Sequence, residues 1–153
     1  MDQARLIASI KAHEGYREAP YRDSLGYWTI GYGHLLEDEL IPSDRASVGS
    51  LLDWITDPST HEEWLEADVN DAHELAMRWL GFMWNNLNQV RKEVVTEMAF
   101  QMGTRLTEFK KFRAAIMDGE WEMAVTEMLD SKWAEQTPNR ATNLAERFKD
   151  AEV

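Results

Sequence analysis

Cysteine is absent from this 153-residue chain. Its absence removes disulfide frameworks, thiolate zinc sites and cysteine nucleophiles together, and it suits a reducing compartment. Proline and glycine are sparse, at 4 and 8 residues, which excludes collagen-like and low-complexity organisation. No apolar run approaches the ~20 residues that span a bilayer, so membrane insertion is not expected. The opening Met1-Asp2-Gln3-Ala4-Arg5 lacks the basic and apolar stretches of a secretory signal. Synthesis in a cytoplasm, without export by such a signal, is the expectation.

Positive charge is also in short supply. Lys and Arg number 16 against 28 Asp and Glu, a net −12, whereas a general nucleic-acid binder needs a basic footprint. The acidity is local. Residues 37–74 carry 12 acids and a single base, Arg45, while the other 115 residues are nearly balanced.

What the chain does hold is core material. Hydrophobic residues make up 44%, with 7 Trp and 8 Met, so disorder is excluded as the main state. The length fits one domain, and a chain of about 150 residues buries about 68–70% of its unfolded surface. No internal period of 20–50 residues marks a repeat.

Residues 3–14 read as a short helix, with Leu6, Ile7 and Ile10 at helical spacing and Gly15 as its left-handed stop. Over residues 16–35, aromatic and β-branched residues surround Asp23-Ser24-Leu25-Gly26, turn chemistry that predicts a hairpin or three-stranded antiparallel sheet. A helix over 43–55 is expected, capped by Ser43. Asp57 and Pro58 then open a long helix to about Leu80, as N-cap and first helical residue. From Phe82 onward the text is helical, broken at Gly103, Gly119 and Pro138; Val94, Val95, Met98, Ala99 and Met102 imply a helix buried nearly all round.

The expected fold class is therefore α+β and mostly helical. A small lobe over 14–58 precedes a connecting helix over 59–80, and a larger helical lobe takes 81–153 plus 1–13. A groove between two lobes is where substrates usually bind.

Several standard sites fail. No His-Glu-x-x-His occurs and the four histidines are scattered, which argues against a metal centre. No Gly-x-Ser-x-Gly elbow exists. Gly31-Tyr32-Gly33-His34 begins like a dinucleotide fingerprint but lacks its third glycine and its helix. Carboxylates and hydroxyls remain.

Glu14 ends the first helix, where the negative end of the dipole disfavours an ionised carboxylate, a condition suited to a general acid. The competing reading is an ordinary surface glutamate. Asp23 opens a turn, where aspartate is common for structural reasons. Two carboxylates in different environments facing one groove are, however, what glycosidic cleavage requires. By strand alternation Thr29, Gly31 and Gly33 share a face, on which a bulky ligand could approach the backbone. Thr29 in a strand also has a purely structural reading.

Glu14, Asp23 and Thr29, within the run Asp-Ser-Leu-Gly-Tyr-Trp-Thr-Ile-Gly-Tyr-Gly-His-Leu-Leu, resemble the active-site hairpin of phage-type lysozymes, glycoside hydrolase family 24. Asp68-Val69, Ala99-Phe100-Gln101-Met102-Gly103, and Trp133 followed by Gln136-Thr137-Pro138-Asn139-Arg140-Ala141 extend the likeness over essentially the whole chain. The resemblance implies a two-lobe fold and hydrolysis of the β-1,4 bond between N-acetylmuramic acid and N-acetylglucosamine in peptidoglycan. It makes Glu14 the acid, with Asp23 and Thr29 holding and activating the attacking water. Carboxyls about 6.5–9.5 Å apart would invert the anomeric centre.

The same resemblance makes Arg140 a partner of the catalytic glutamate, and His34 with Asp68 a structural ion pair between the lobes. Gly33, Leu35 and Phe100 become substrate contacts by position. Phe112 and Glu127 stand where the family often has small polar sugar-binding residues, and are carried over to the same role. The family supplies no cofactor, since one acid and one positioned water suffice. The expected partner is peptidoglycan, met by a monomer, with no nucleic acid and no membrane insertion. The expected location is the host bacterial cytoplasm, with access to the wall after membrane permeabilisation. Most of the tryptophans, Trp64, Trp79, Trp121 and Trp133 among them, are expected in the core rather than stacked on sugar.

Two other readings stay open: a lytic transglycosylase, which needs the acid but no water-holding aspartate, and a catalytically silent wall-binding module. The acidic segment is either a plain solvated face or a sign of a saline setting. In the latter case salt, by cutting the Debye length from ~10 Å at 0.1 M to ~3 Å at 1 M, would hold or raise activity.

Overall fold

The computed structural model describes residues 1–23, 25–36 and 55–151. The helix expected over 43–55 with its Ser43 cap lies, but for its last residue, outside them, as does Ser24 of the hairpin turn. Contacts divide the chain into two compact units: Ile7–Asn70, and Met1–Leu6 together with Asp71–Val153.

The first unit contains most of helix α1 (Gln3–Glu14), then strands β1 (Arg17–Arg22), β2 (Trp28–Gly31) and β3 (His34–Leu35), and the first half of helix α2 (Pro58–Leu80). Helix α1 stops where expected. Gly15 takes φ +71°, and its N–H donates to the Lys11 carbonyl at 3.1 Å, closing the last turn in a conformation that glycine adopts without a Cβ penalty. Helix α2 also begins as read. Asp57 Oδ1 accepts from the Ser59 amide at 2.9 Å and the Ser59 hydroxyl at 2.8 Å, satisfying one of the free donors of the first turn.

The strands form one antiparallel sheet in the order β1-β2-β3. Tyr21 pairs with Thr29 and Arg22 with Trp28, while Thr29 and Ile30 pair with Leu35 and His34 on the other side. The register is irregular between Arg17 and Tyr21. That stretch contains Pro20, which has no amide to donate and is tolerated because β1 is an edge strand. One expectation fails here. Strand β2 ends at Gly31, because Gly31 (φ +64°) and Gly33 (φ +77°) turn the chain back into β3. Side-chain alternation therefore does not continue to Gly33.

The second unit is helical: α3 (Gln89–Met102), α4 (Lys110–Met117), α5 (Trp121–Leu129), α6 (Lys132–Gln136) and α7 (Pro138–Asp150). Gly103, Gly119 and Pro138 mark breaks as expected. Phe109 and Ser131 add two more. Its core gathers Leu80, Met83, Trp84, Val94, Val95, Met98, Leu106, Phe112, Met128, Leu144 and Phe148, with Trp79, Trp121 and Trp133 in or against it. Helix α3 runs through this core and is buried on nearly every side. It also carries two buried carboxylates that periodicity did not disclose. Glu93 accepts from Arg5 Nε and Nη2, each at 2.6 Å. Glu97 accepts from Arg140 Nε at 3.0 Å, so each buried acid meets a cation, as burial of charge requires.

Candidate active site

Glu14 is the last residue of α1 and is half-buried. Its carboxyl lies against the turn between β2 and β3: a Cβ built on Gly33 would stand 2.8 Å from Glu14 Oε2 and 3.3 Å from Cδ. The positive φ of +77° favours glycine there, and a Cβ would have to displace the end of the Glu14 side chain. Gly31 is similar, with the ring of His61 at 3.1 Å from the position a Cβ would take. Strand alternation predicts room for a ligand beside both glycines. The protein's own side chains fill that room instead, Glu14 at Gly33 and His61 at Gly31.

Asp23 sits at the mouth of the β1–β2 hairpin. Its Oδ1 accepts the amides of Leu25 at 2.9 Å and Tyr27 at 2.8 Å. The Gly26 amide donates to the Asp23 carbonyl at 3.0 Å. The turn reading of this residue is thus correct, and these bonds, among the described residues, engage Oδ1 rather than Oδ2. Thr29 lies on the facing strand and is 3% exposed. Its hydroxyl donates to the Tyr27 carbonyl at 3.0 Å. With the proton so engaged, Oγ1 faces any other group as an acceptor.

Tyr21 stands opposite Thr29 in the sheet, a neighbour that sequence reasoning missed. Its phenol is held above the ordinary value by burial first and then by the negative charge of Glu14, with Arg17 opposing and Asp23 adding to the rise. The Arg17 guanidinium lies 4.4 Å from the centre of its ring.

His34 and Asp68 are brought together, His34 Nδ1 and Asp68 Oδ2 being 2.7 Å apart. The His34 ring also stacks on Trp64, with centroids 4.4 Å apart and planes at 11°. The pair joins β3 to α2 inside the unit Ile7–Asn70, rather than bridging the lobes as the sequence reading had it. Leu35 on β3 is 56% exposed.

Other carried-over residues belong to the helical unit. Phe100 packs half-buried against its core, and Phe112 is fully buried within it, in ring contact with Trp79, Phe109 and Phe148. A side chain with no exposed surface offers no face to a sugar, so Phe112 is a packing residue. This corrects its assignment as a substrate contact. Glu127 is half-buried on α5. Arg140 is paired with Glu97, a partner that spacing did not reveal. Nearby, Trp133 Nε1 donates to Gln101 Oε1 at 2.7 Å. Among the described residues, no group of three His, Asp or Glu side chains is arranged to hold a metal ion.

Comparison with known proteins gives a consistent picture. The family described as phage lysozyme matches residues 11–151. A "Probable T4-type lysozyme 1" of Dictyostelium discoideum is 30% identical over 151 residues, covering 88% of each chain. "Pre-baseplate central spike protein Gp5" of Enterobacteria phage T4 is 31% identical across 91% of this chain and 26% of its own. "Peptidoglycan hydrolase gp36" of Pseudomonas phage phiKMV is 31% identical across 88% of this chain and 14% of its own.

Proposed function

Because the chain belongs to the phage lysozyme family, and is by that membership a glycoside hydrolase of the lysozyme class, we propose that it cleaves peptidoglycan by single-displacement hydrolysis. The bond cut is the β-1,4 linkage between N-acetylmuramic acid and N-acetylglucosamine. The observation that supports the assignment of roles is geometric: the Glu14 carboxyl lies against Gly33 in the turn that follows β2, in the same sheet whose β1–β2 hairpin carries Asp23 at its mouth and Thr29 on its second strand.

Glu14, in its acid form, gives its proton to the glycosidic oxygen as the bond from that oxygen to the anomeric carbon breaks. A water attacks the opposite face of the sugar. Asp23 takes the water's proton through the oxygen that the turn does not use, and Thr29 Oγ1 accepts the water's second hydrogen. The new bond joins the water oxygen to the anomeric carbon, with inversion. Glu14 ends ionised and Asp23 protonated, and exchange with solvent resets both.

Glu14→Gln tests the acid. Activity on outer-membrane-permeabilised cells, followed by turbidity, should fall by about 10²-fold or more, the usual worth of a general acid, while melting behaviour persists. Retained turnover would remove Glu14 from the mechanism. Proton NMR of the first-formed product should show the α-anomer; a β-anomer would reject the single displacement. Anhydromuramyl ends in the mass spectrum would instead support a transglycosylase, and no turbidity loss at all a silent binding module. We place the enzyme's synthesis in the host cytoplasm, with access to the wall after the membrane is permeabilised.

A further inference from the structure

We propose that His61 is the positioning residue for the Glu14 carboxyl, acting through Tyr16 and through the Gly31–Gly33 turn; the inference rests on Glu14 being the acid. His61 lies in the first turns of α2 and is 1% exposed. Its Nε2 is 2.5 Å from the Ile55 carbonyl, which can only accept, so Nε2 carries a hydrogen. Its Nδ1 is 2.7 Å from the Tyr16 hydroxyl. In the neutral ring Nδ1 accepts, and Tyr16 is the donor. A phenol is protonated near neutral pH in any case, so the Tyr16 hydroxyl is available as that donor.

Both contacts lead back to Glu14. Tyr16 is two residues beyond it, just after the Gly15 stop, so fixing the Tyr16 hydroxyl fixes the chain where α1 ends. On the other side the His61 ring packs on Gly31, and the same turn two residues later packs Gly33 against the Glu14 carboxyl. The Tyr16 and Tyr32 rings lie 4.8 Å apart across the gap. Lys11 Nζ and the Tyr32 hydroxyl both donate to Glu62 Oε1, at 2.8 and 3.3 Å, tying α1, the turn and α2 at a second point. A buried side chain with both ring nitrogens engaged has one orientation, and the acid inherits it. Small displacements of a catalytic group are costly in rate.

The test uses Tyr16→Phe, which deletes only the phenol oxygen, beside His61→Phe, which keeps the ring and removes both hydrogen bonds. Both are assayed on a soluble peptidoglycan fragment, with Glu14→Gln as reference. Tyr16→Phe should melt near the parent and lose about tenfold in kcat with KM within about twofold, as expected for a misplaced acid rather than a lost sugar contact. His61→Phe, if folded, should lose at least as much. Nitrogen-15 NMR of the parent should show His61 as the Nε2–H tautomer. Full kcat in Tyr16→Phe, or a loss that follows the folded fraction alone, would overturn the positioning role. Activity in Glu14→Gln would instead overturn the reading of Glu14 as the acid.

Discussion

The backbone of Gly33 lies so close to the carboxyl of Glu14 that a β-carbon at Gly33 would stand 2.8 Å from Oε2. The contact joins the end of α1 to the turn after β2, two segments separated by the whole hairpin. Both conformations are local products of glycine. Gly15 ends the helix and Gly33 turns the strand; together they bring the acid against backbone rather than leaving it in open solvent.

Gly33→Ala should therefore act mainly on chemistry. The positive φ costs roughly 1–2 kcal/mol of stability, but the group that must yield to the new methyl is the end of the Glu14 side chain. Turnover is expected to drop by more than the melting shift accounts for, which kcat measured beside a denaturant curve would reveal. Parent-level kcat would show that the contact does not matter to the reaction.

Phe112→Ala separates packing from sugar binding. Emptying a fully buried phenylalanine site should cost about 3–5 kcal/mol. Urea titration would read that loss, while KM of the molecules that remain folded should stay at the parent value. A severalfold rise in KM would restore Phe112 as a substrate contact.

Glu97→Ala should also be severe. It removes the carboxylate that meets Arg140 Nε at 3.0 Å, in a pair whose side chains are 0% and 8% exposed. Breaking a buried pair from one side typically costs about 3–5 kcal/mol. Glu97→Gln retains an oxygen acceptor and should lose less; equal losses for the two would show that shape rather than charge is what Arg140 requires.

Acid should weaken the helical unit through His73. Burial first, then the positive charges of the chain N-terminus and Lys92, hold its imidazole below the ordinary value. The unfolded chain then binds the proton that the folded chain resists. The stability concerned is complete above the unfolded value near 6.5 and is lost as pH falls from there toward the folded value. Denaturant midpoints between pH 7.5 and 5 should decline more steeply for the parent than for His73→Gln. Parallel curves would remove His73 as the cause.

What the amino-acid order determined by itself is whatever depends on a few neighbouring residues. Gly15 ends α1 at Glu14 because a left-handed residue closes the last helical turn, and Asp57 with Pro58 starts α2 because one caps free amides and the other needs none. Asp23 opens its turn by accepting amides two and four residues ahead, and the apolar texture of residues 94–102 marked a buried helix. Glu14, Asp23 and Thr29 were singled out by their resemblance to a family pattern, since each taken alone also had a structural reading. Tertiary packing alone decided what fills the spaces beside Gly31 and Gly33, that Arg140 meets Glu97 across 43 positions, and that Phe112 has no surface to offer. Those outcomes depend on which distant side chain arrives at a given point, and hydrophobic period and turn chemistry carry no information about that arrival.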